Sequence, residues 1–224
     1  MNTTITERPL DDAVSTEATT TAEPVVAIKR RTIDSILIGF GVVAGVAFLV
    51  AGGLLWWGHN FSSDYVSNEL ASQHITFPSA DDLNAQGRTD LVKYADQRLD
   101  TGREAQAYAS FINGHLEGIG GGQTYADLGA PESAAKAEVA AAVKAGQPQA
   151  QVDALQVKAD DITNQRNTMF KGETLRGLLL SAYAWSTVGM IAGIAAIGAF
   201  LAAGVMFILV GLGLVHHRRM PKTA

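Results

Sequence analysis

"KGETLRGLLLSAYAWSTVGMIAG", Lys171–Gly193, begins as a charged helix and ends as lipid-soluble chain, with no Gly-Pro break or polar linker between the two halves. Its reading decides the fold, because it is either the tail of a soluble helical domain or the place where such a domain enters a membrane. Downstream, "TVGMIAGIAAIGAFLAAGVMFILVGLGLV" holds 29 residues without a charge, about 43 Å of helix at about 1.5 Å per residue. A hydrocarbon core is about 30 Å thick, so this stretch spans with tilt or overhang. Running the span back to Leu178 would require about 57 Å. Leu178–Ser186 is therefore expected above the lipid or at its surface, with Tyr183 and Trp185 as interfacial rings. Glu173 and Arg176, three apart on one helix face, are expected to pair just outside the headgroups.

The same criterion applied upstream finds "ILIGFGVVAGVAFLVAGGLLWW", Ile36–Trp57, 22 residues without a charge. Lys29, Arg30 and Arg31 precede it, as they would precede a signal peptide. An h-region is only about 7–15 residues and ends in small side chains, whereas this run is longer and ends in two tryptophans. It reads as a retained span. Lys29–Arg31 before the first span and Arg218, Arg219 and Lys222 after the second predict that both ends face the cytoplasm. The predicted organisation is a disordered cytoplasmic tail over residues 1–31, transmembrane helices over 36–57 and 187–215, an extracytoplasmic helical domain over 58–186, and a short cytoplasmic tail over 216–224. The N-terminal tail is rich in Thr, Ala and acidic side chains and has no apolar periodicity.

Composition agrees with a chain of two solvents: 47% of the residues are hydrophobic and 17% charged, with a net charge of −5. Residues 58–177 carry 16 acidic and 10 basic side chains, which argues against a nucleic-acid partner, since phosphate contacts need a basic face. There is no cysteine, which excludes disulfides, thiolate metal sites and cysteine catalysis.

Between the spans the chain reads as capped helices with no useful β alternation. Ser62–His74 continues the first span outward, Pro78 ends it and Ser79 caps a new turn. Thr89 opens "TDLVKYADQRL". Thr101 and Glu104 form a capping box for a helix whose apolar positions are Ala105, Tyr108, Phe111, Ile112, Leu116 and Ile119, stopped by a triple glycine. The Ala-rich segment before Gly146 and Pro148 predicts a peripheral helix. From about Ala150 a long helix with Val152, Leu155, Ile162, Met169, Phe170 and Leu175 leads into the second span. The fold class expected is an all-α membrane protein: two transmembrane helices carrying a small extracytoplasmic bundle. Gly41-x-x-x-Gly45 and Gly189-x-x-x-Gly193 are small-x-x-x-small patterns that allow helix pairing within the bilayer.

Chemistry is harder to find. His115 and Glu117 are two apart and point to different helix faces, and neither H-E-x-x-H nor H-x-x-E-H occurs among the five histidines. "GIGGGQTY", Gly118–Tyr125, closes a helix, whereas a phosphate loop opens one and ends in Gly-Lys-Ser/Thr. The serines lack a nucleophile elbow, and neither span holds an ionisable side chain marking an ion path. No cofactor is expected.

"YADQRLDTGREAQAYASFINGHLEGIGGGQTYADL", "TMFKGETLRGLLLSAYAWSTVGMIA" and "ITFP" resemble a family of two-span membrane proteins of actinobacteria, mostly of unknown function. Some members carry a name borrowed from aromatic ring-opening dioxygenases. The resemblance covers about a third of the chain, is most specific over Gly172–Leu180, and implies an actinobacterial cell membrane with no known catalytic residues. The residues supply no facial-triad spacing for the dioxygenase name. The expected function is non-enzymatic: an outer helical domain that binds an envelope protein or stabilises a membrane complex, in part by self-association. Gly172, Glu173, Arg176, Tyr183 and Trp185 are the interaction candidates; Gly41, Gly45, Gly189 and Gly193 are the helix-pairing candidates. A ligand sensor working with a separate cytoplasmic partner is the alternative, since "HHRRMPKTA" is too short for an output domain, and an envelope enzyme is the third reading.

Overall fold

A computed structural model describes residues 30–219; the expected N-terminal tail before Arg30 and the last residues, 220–224, lie outside the described residues. Five α-helices follow one another: α1 Arg30–Ser72, α2 Ala80–Ala85, α3 Gly102–Gly120, α4 Gly129–Lys144 and α5 Gln149–Arg219. A 3₁₀ turn occupies Thr89–Tyr94, and a single antiparallel bridge, Thr76 to Arg98, is the β pairing among the described residues. Both α1 and α5 contain stretches long and apolar enough to cross a membrane. The fold is all-helical.

α5 is the axis of the molecule. Its 71 residues make a rod of about 107 Å, with no proline or glycine pair to break it, and the charged and lipid-soluble halves of the opening stretch lie on this one helix. Three helices dock on it in succession. α1 runs antiparallel along its C-terminal half, α3 beside its middle and α4 beside its N-terminal part. α1, α3 and α5 meet the connecting segment in a small core, as the expected helical bundle requires, and toward its N-terminus α5 carries only α4. Alanine dominates α4, and Ala135, Ala142 and Ala159 are buried where it meets α5. Such small side chains permit close approach but bury too little surface to gather a central core.

Three clusters pin the helices down. Val66 and Leu70 of α1, Phe77 and Leu99 of the connecting segment, Ala105 and Ala109 of α3, and Leu179 of α5 form the largest. Leu83, Leu91 and Phe111 close the segment around α2 onto α3, and Leu116, Leu128 and Met169 join α3 to α5. Among positions expected to face inward, Ile119, Phe170 and Leu175 are exposed. Apolar periodicity anticipates neighbours all along a helix face, but α5 meets α1 and α3 together only around Leu179 and one helix at a time elsewhere, so much of its circumference stays open.

Local signals explain the helix ends. Ser79 accepts a hydrogen bond from the Asp82 amide at 3.2 Å. Thr101 Oγ1 accepts from the Glu104 amide, while the Glu104 carboxylate accepts from the amides of Asp100 and Thr101 at 3.0 and 2.9 Å. Gly121 ends α3 in the left-handed region, φ 57°, which glycine adopts without steric cost. "TDLVKYADQRL" forms only the 3₁₀ turn, because Asp96 takes a positive φ of 58° and Gln97 and Leu99 hydrogen-bond instead toward Phe77 and Ile75. Thr101→Ala is expected to cost about 1 kcal/mol, the usual cost of a lost N-cap, read as a lowered midpoint in thermal unfolding of the detergent-solubilised protein.

Candidate interaction surfaces

The longest interface is the seam between α1 and α5. On α5 its buried residues are Gly189, Gly193, Ala196, Ala203 and Val210; on α1, Gly41, Gly45, Gly52, Ser62 and Val66. Steps of three, four and seven are the coiled-coil repeat, which winds two helices left-handedly about each other. Each glycine receives a larger side chain from the opposite helix. A Cβ on Gly41 would stand 2.7 Å from Val210, on Gly45 3.0 Å from Phe207, on Gly52 2.8 Å from Phe200, on Gly189 2.8 Å from Ser62 and on Gly193 2.9 Å from His59. The two glycine pairs therefore do not meet each other, because the helices are antiparallel and the pairs lie at opposite ends of the seam.

Gly189 and Gly193 instead form a socket for two polar side chains of α1. His59 Nδ1 lies 2.8 Å from the Gly189 carbonyl oxygen, and the Ser62 hydroxyl donates to the Trp185 carbonyl at 2.6 Å. Hydrogen bonding of this kind fixes the register of a pair whose apolar contacts alone would tolerate sliding. His59 is one of the five histidines that fall in no metal-binding motif. Its spacing of seven from Gly52 and Val66 was the available signal.

The outer stretch Gly172–Trp185 does not form one surface. Gly172 faces α3, where a Cβ would collide with Leu116. Glu173 and Arg176 pair at 2.9 Å and border a shallow cleft with Asn113, Glu117 and Gln123 near the end of α3. Tyr183 lies where α3 begins: its Cα and the side chain of Ser186 close over Gly102. Trp185 points elsewhere, into a cleft of about 350 Å³ whose walls include Tyr65, Leu70, Leu175, Leu178 and Ala182.

α4 is held by charge. The Glu132 carboxylate accepts from Lys136 Nζ at 2.6 Å, Arg166 at 2.7 Å and Thr163 Oγ1 at 3.0 Å, and the Arg166 guanidinium lies over the Tyr125 ring, 4.2 Å from its centroid. Hydrogen bonds from Lys136, Arg166 and Thr163 pull the Glu132 carboxyl from its ordinary 4.5 down to about 2. A depressed carboxyl stabilises the folded state above its unfolded pKa and loses that contribution as pH falls through the folded value. Amide exchange in α4, corrected for intrinsic rates, is expected to be constant above pH 4.5 and to accelerate between pH 4.5 and 2. Glu132→Gln should raise α4 exchange at neutral pH and remove that acid step.

Among the described residues no group of three His, Cys, Asp or Glu side chains is placed to hold a metal ion. His115 Nδ1 lies 3.1 Å from the Phe111 carbonyl, within its own helix. No family profile, curated protein or solved structure matches this chain. What the fold defines is a class: an all-helical protein whose two longest helices are apolar and long enough to cross a membrane.

Proposed function

We propose that the chain is a two-span integral membrane protein of the cell membrane, with both ends cytoplasmic. Its outward helices serve, without catalysis, to bind or stabilise an envelope or membrane protein complex. The observation carrying this reading is the exposure of the apolar windows. Their mean hydropathies are 2.4 and 2.5, yet only 17% and 22% of each window is buried within the protein. A core helix of a soluble domain hides such residues; here Ile36, Phe40, Val43, Leu54, Leu201, Ile208 and Leu212 face outward, as side chains surrounded by lipid do. Arg218 and Arg219 at the end of α5, with Arg30 and Arg31 at the start of α1, favour the cytoplasm for that end of the pair.

The seam sets the two spans level with one another. Gly52 opposes Phe200 and His59 opposes Gly193, so Trp57 stands opposite Ala195. Twenty residues of helix cover a hydrocarbon core of about 30 Å, and counting them outward from Ile36 or Val215 ends near Trp56 and Ala196. The outer lipid edge is thereby assigned to Trp57 and Ala195, and Thr187–Ile194 to the headgroup layer and just above it.

A reporter inserted at Gly121 should be active only outside the cytoplasm, and the protein should stay with membranes in alkaline carbonate; a cytosolic reporter or extraction by carbonate refutes the topology. Co-purification in mild detergent tests the function: a stoichiometric membrane complex is expected. A ligand sensor is the second reading, favoured by the continuity of α5 from α4 to Arg219, and a signalling kinase in the purified complex would select it.

A further inference from the structure

We infer that the face of the α1–α5 stalk opposite α3 is the contact between two copies of this chain. The inference rests on the membrane topology just proposed. Above the assigned lipid edge, α1 presents Trp57, Phe61 and Tyr65 as a stacked ladder, with ring centroids 5.7 and 6.2 Å apart. Tyr65 then meets Leu175, Leu178 and Trp185 of α5 around the open 350 Å³ cleft. Tyr65 is 53% exposed, Leu178 64% and Trp185 53%. α3 covers the other side of the stalk, through Gly102 against Ser186 and Leu116 against Gly172, and leaves this side bare.

Lipid reaches only its lower rim, Trp57 and Phe61. Relative to Trp57 and Ala195, Tyr65 lies about 12 Å further out, Trp185 about 15 Å and Leu178 about 26 Å. The headgroup layer adds only about 5–8 Å to each side of the hydrocarbon. On the proposed topology the described ends of α1 and α5, Arg30 and Arg219, stand across the membrane from this face. The occupant is therefore a protein. Roughly half of each of Phe61, Tyr65, Trp185, Leu175 and Leu178, with the cleft walls, amounts to on the order of 600 Å² of apolar surface, close to the roughly 800 Å² per partner of a stable interface.

A second copy fits this surface in a way a foreign protein would have to match separately. The bilayer holds two copies at one depth, so a two-fold axis along the membrane normal sets each residue opposite its own height. Such pairing penalises any charge on the contact face, because like would meet like. The cleft lining carries one ionisable acid, Glu69, and no Lys or Arg. The aromatic and aliphatic residues around it are complementary to themselves.

The cysteine-free sequence makes the test direct. Leu178→Cys, Ser181→Cys and, on the exposed side of α4, Ala137→Cys are expressed singly in the full chain and treated in native membranes with a short, membrane-permeant bis-maleimide. Leu178→Cys and Ser181→Cys should give a band of twice the monomer mass at least tenfold more intense than Ala137→Cys. A cross-linked band of any other mass places a different protein on the face and overturns the inference. So does failure to cross-link, whether a small maleimide labels the two cysteines freely or is kept from them. Because the cross-linker crosses membranes, the dimer is read regardless of sidedness. The topology itself is scored apart, by whether an impermeant maleimide labels Ala137→Cys in intact cells.

Discussion

Leu179→Ala should destabilise the protein by about 2–5 kcal/mol, the range for truncating a large buried aliphatic side chain, and lower the thermal midpoint by roughly 10 °C for a chain of this size. Leu179 is 3% exposed and stands where four parts of the chain converge: the end of α1, the segment carrying Phe77 and Leu99, the start of α3, and α5 itself. The cost falls at the high end where surroundings cannot collapse into the cavity. Here α1 and α5 are held apart at fixed spacing by the seam below, and α3 is anchored by Gly102 against Ser186. Val157→Ala, on the same helix but exposed, should change stability by no more than about 0.5 kcal/mol. Thermal unfolding of both variants in one detergent separates the cases, and equal midpoints would contradict the convergence described here.

Gly193→Leu is expected to open the outer end of the α1–α5 pair. Even the first added carbon lies 2.9 Å from His59 Nδ1, so the imidazole must leave and its contact with the Gly189 carbonyl at 2.8 Å is lost. Overpacking of this kind costs about 1–3 kcal/mol, and the loss of this half-buried hydrogen bond adds about 1 kcal/mol. Gly198→Leu is the matched control, because nothing stands within 4 Å of its Cβ position. It removes a helix-weakening glycine and should be neutral or slightly stabilising. The difference is read as thermal midpoint and as protease sensitivity of the segment Gly58–Ser72, which only Gly193→Leu should raise.

The sequence made legible whatever is encoded within a few residues. The capping box at Thr101 and Glu104, the cap at Ser79, the left-handed stop at Gly121 and the Glu173–Arg176 pair all stand as their spacing predicts. The apolar lengths of α1 and α5 were equally plain. Less accessible were features joining distant positions. Glu132 finds Arg166 at a separation of 34 residues, and nothing near either residue announces the other. The coiled-coil seam was visible only as two glycine pairs, because many of its remaining positions are Ala, Ser and His, which no apolar template scores, and its Val and Phe positions lie in runs that are apolar all round. Periodicity reports that a helix has a buried face, not that successive stretches of that face meet different partners, so the order in which α1, α3 and α4 dock along α5 was not legible. Of the five residues proposed from Gly172 to Trp185, Gly172 and Tyr183 face α3, Glu173 and Arg176 lie beside the end of α3, and only Trp185 borders the cleft opposite α3.

On the proposed topology, the unbroken course of α5 would make the protein a ruler. From Ala195 at the assigned lipid edge to Gln149 there are 46 residues of continuous helix, about 69 Å at the standard rise. A molecule seated at the far tip would be kept at that height with little play, and lengthening α5 by one heptad would lift it by about 10 Å while preserving its bearing about the shaft.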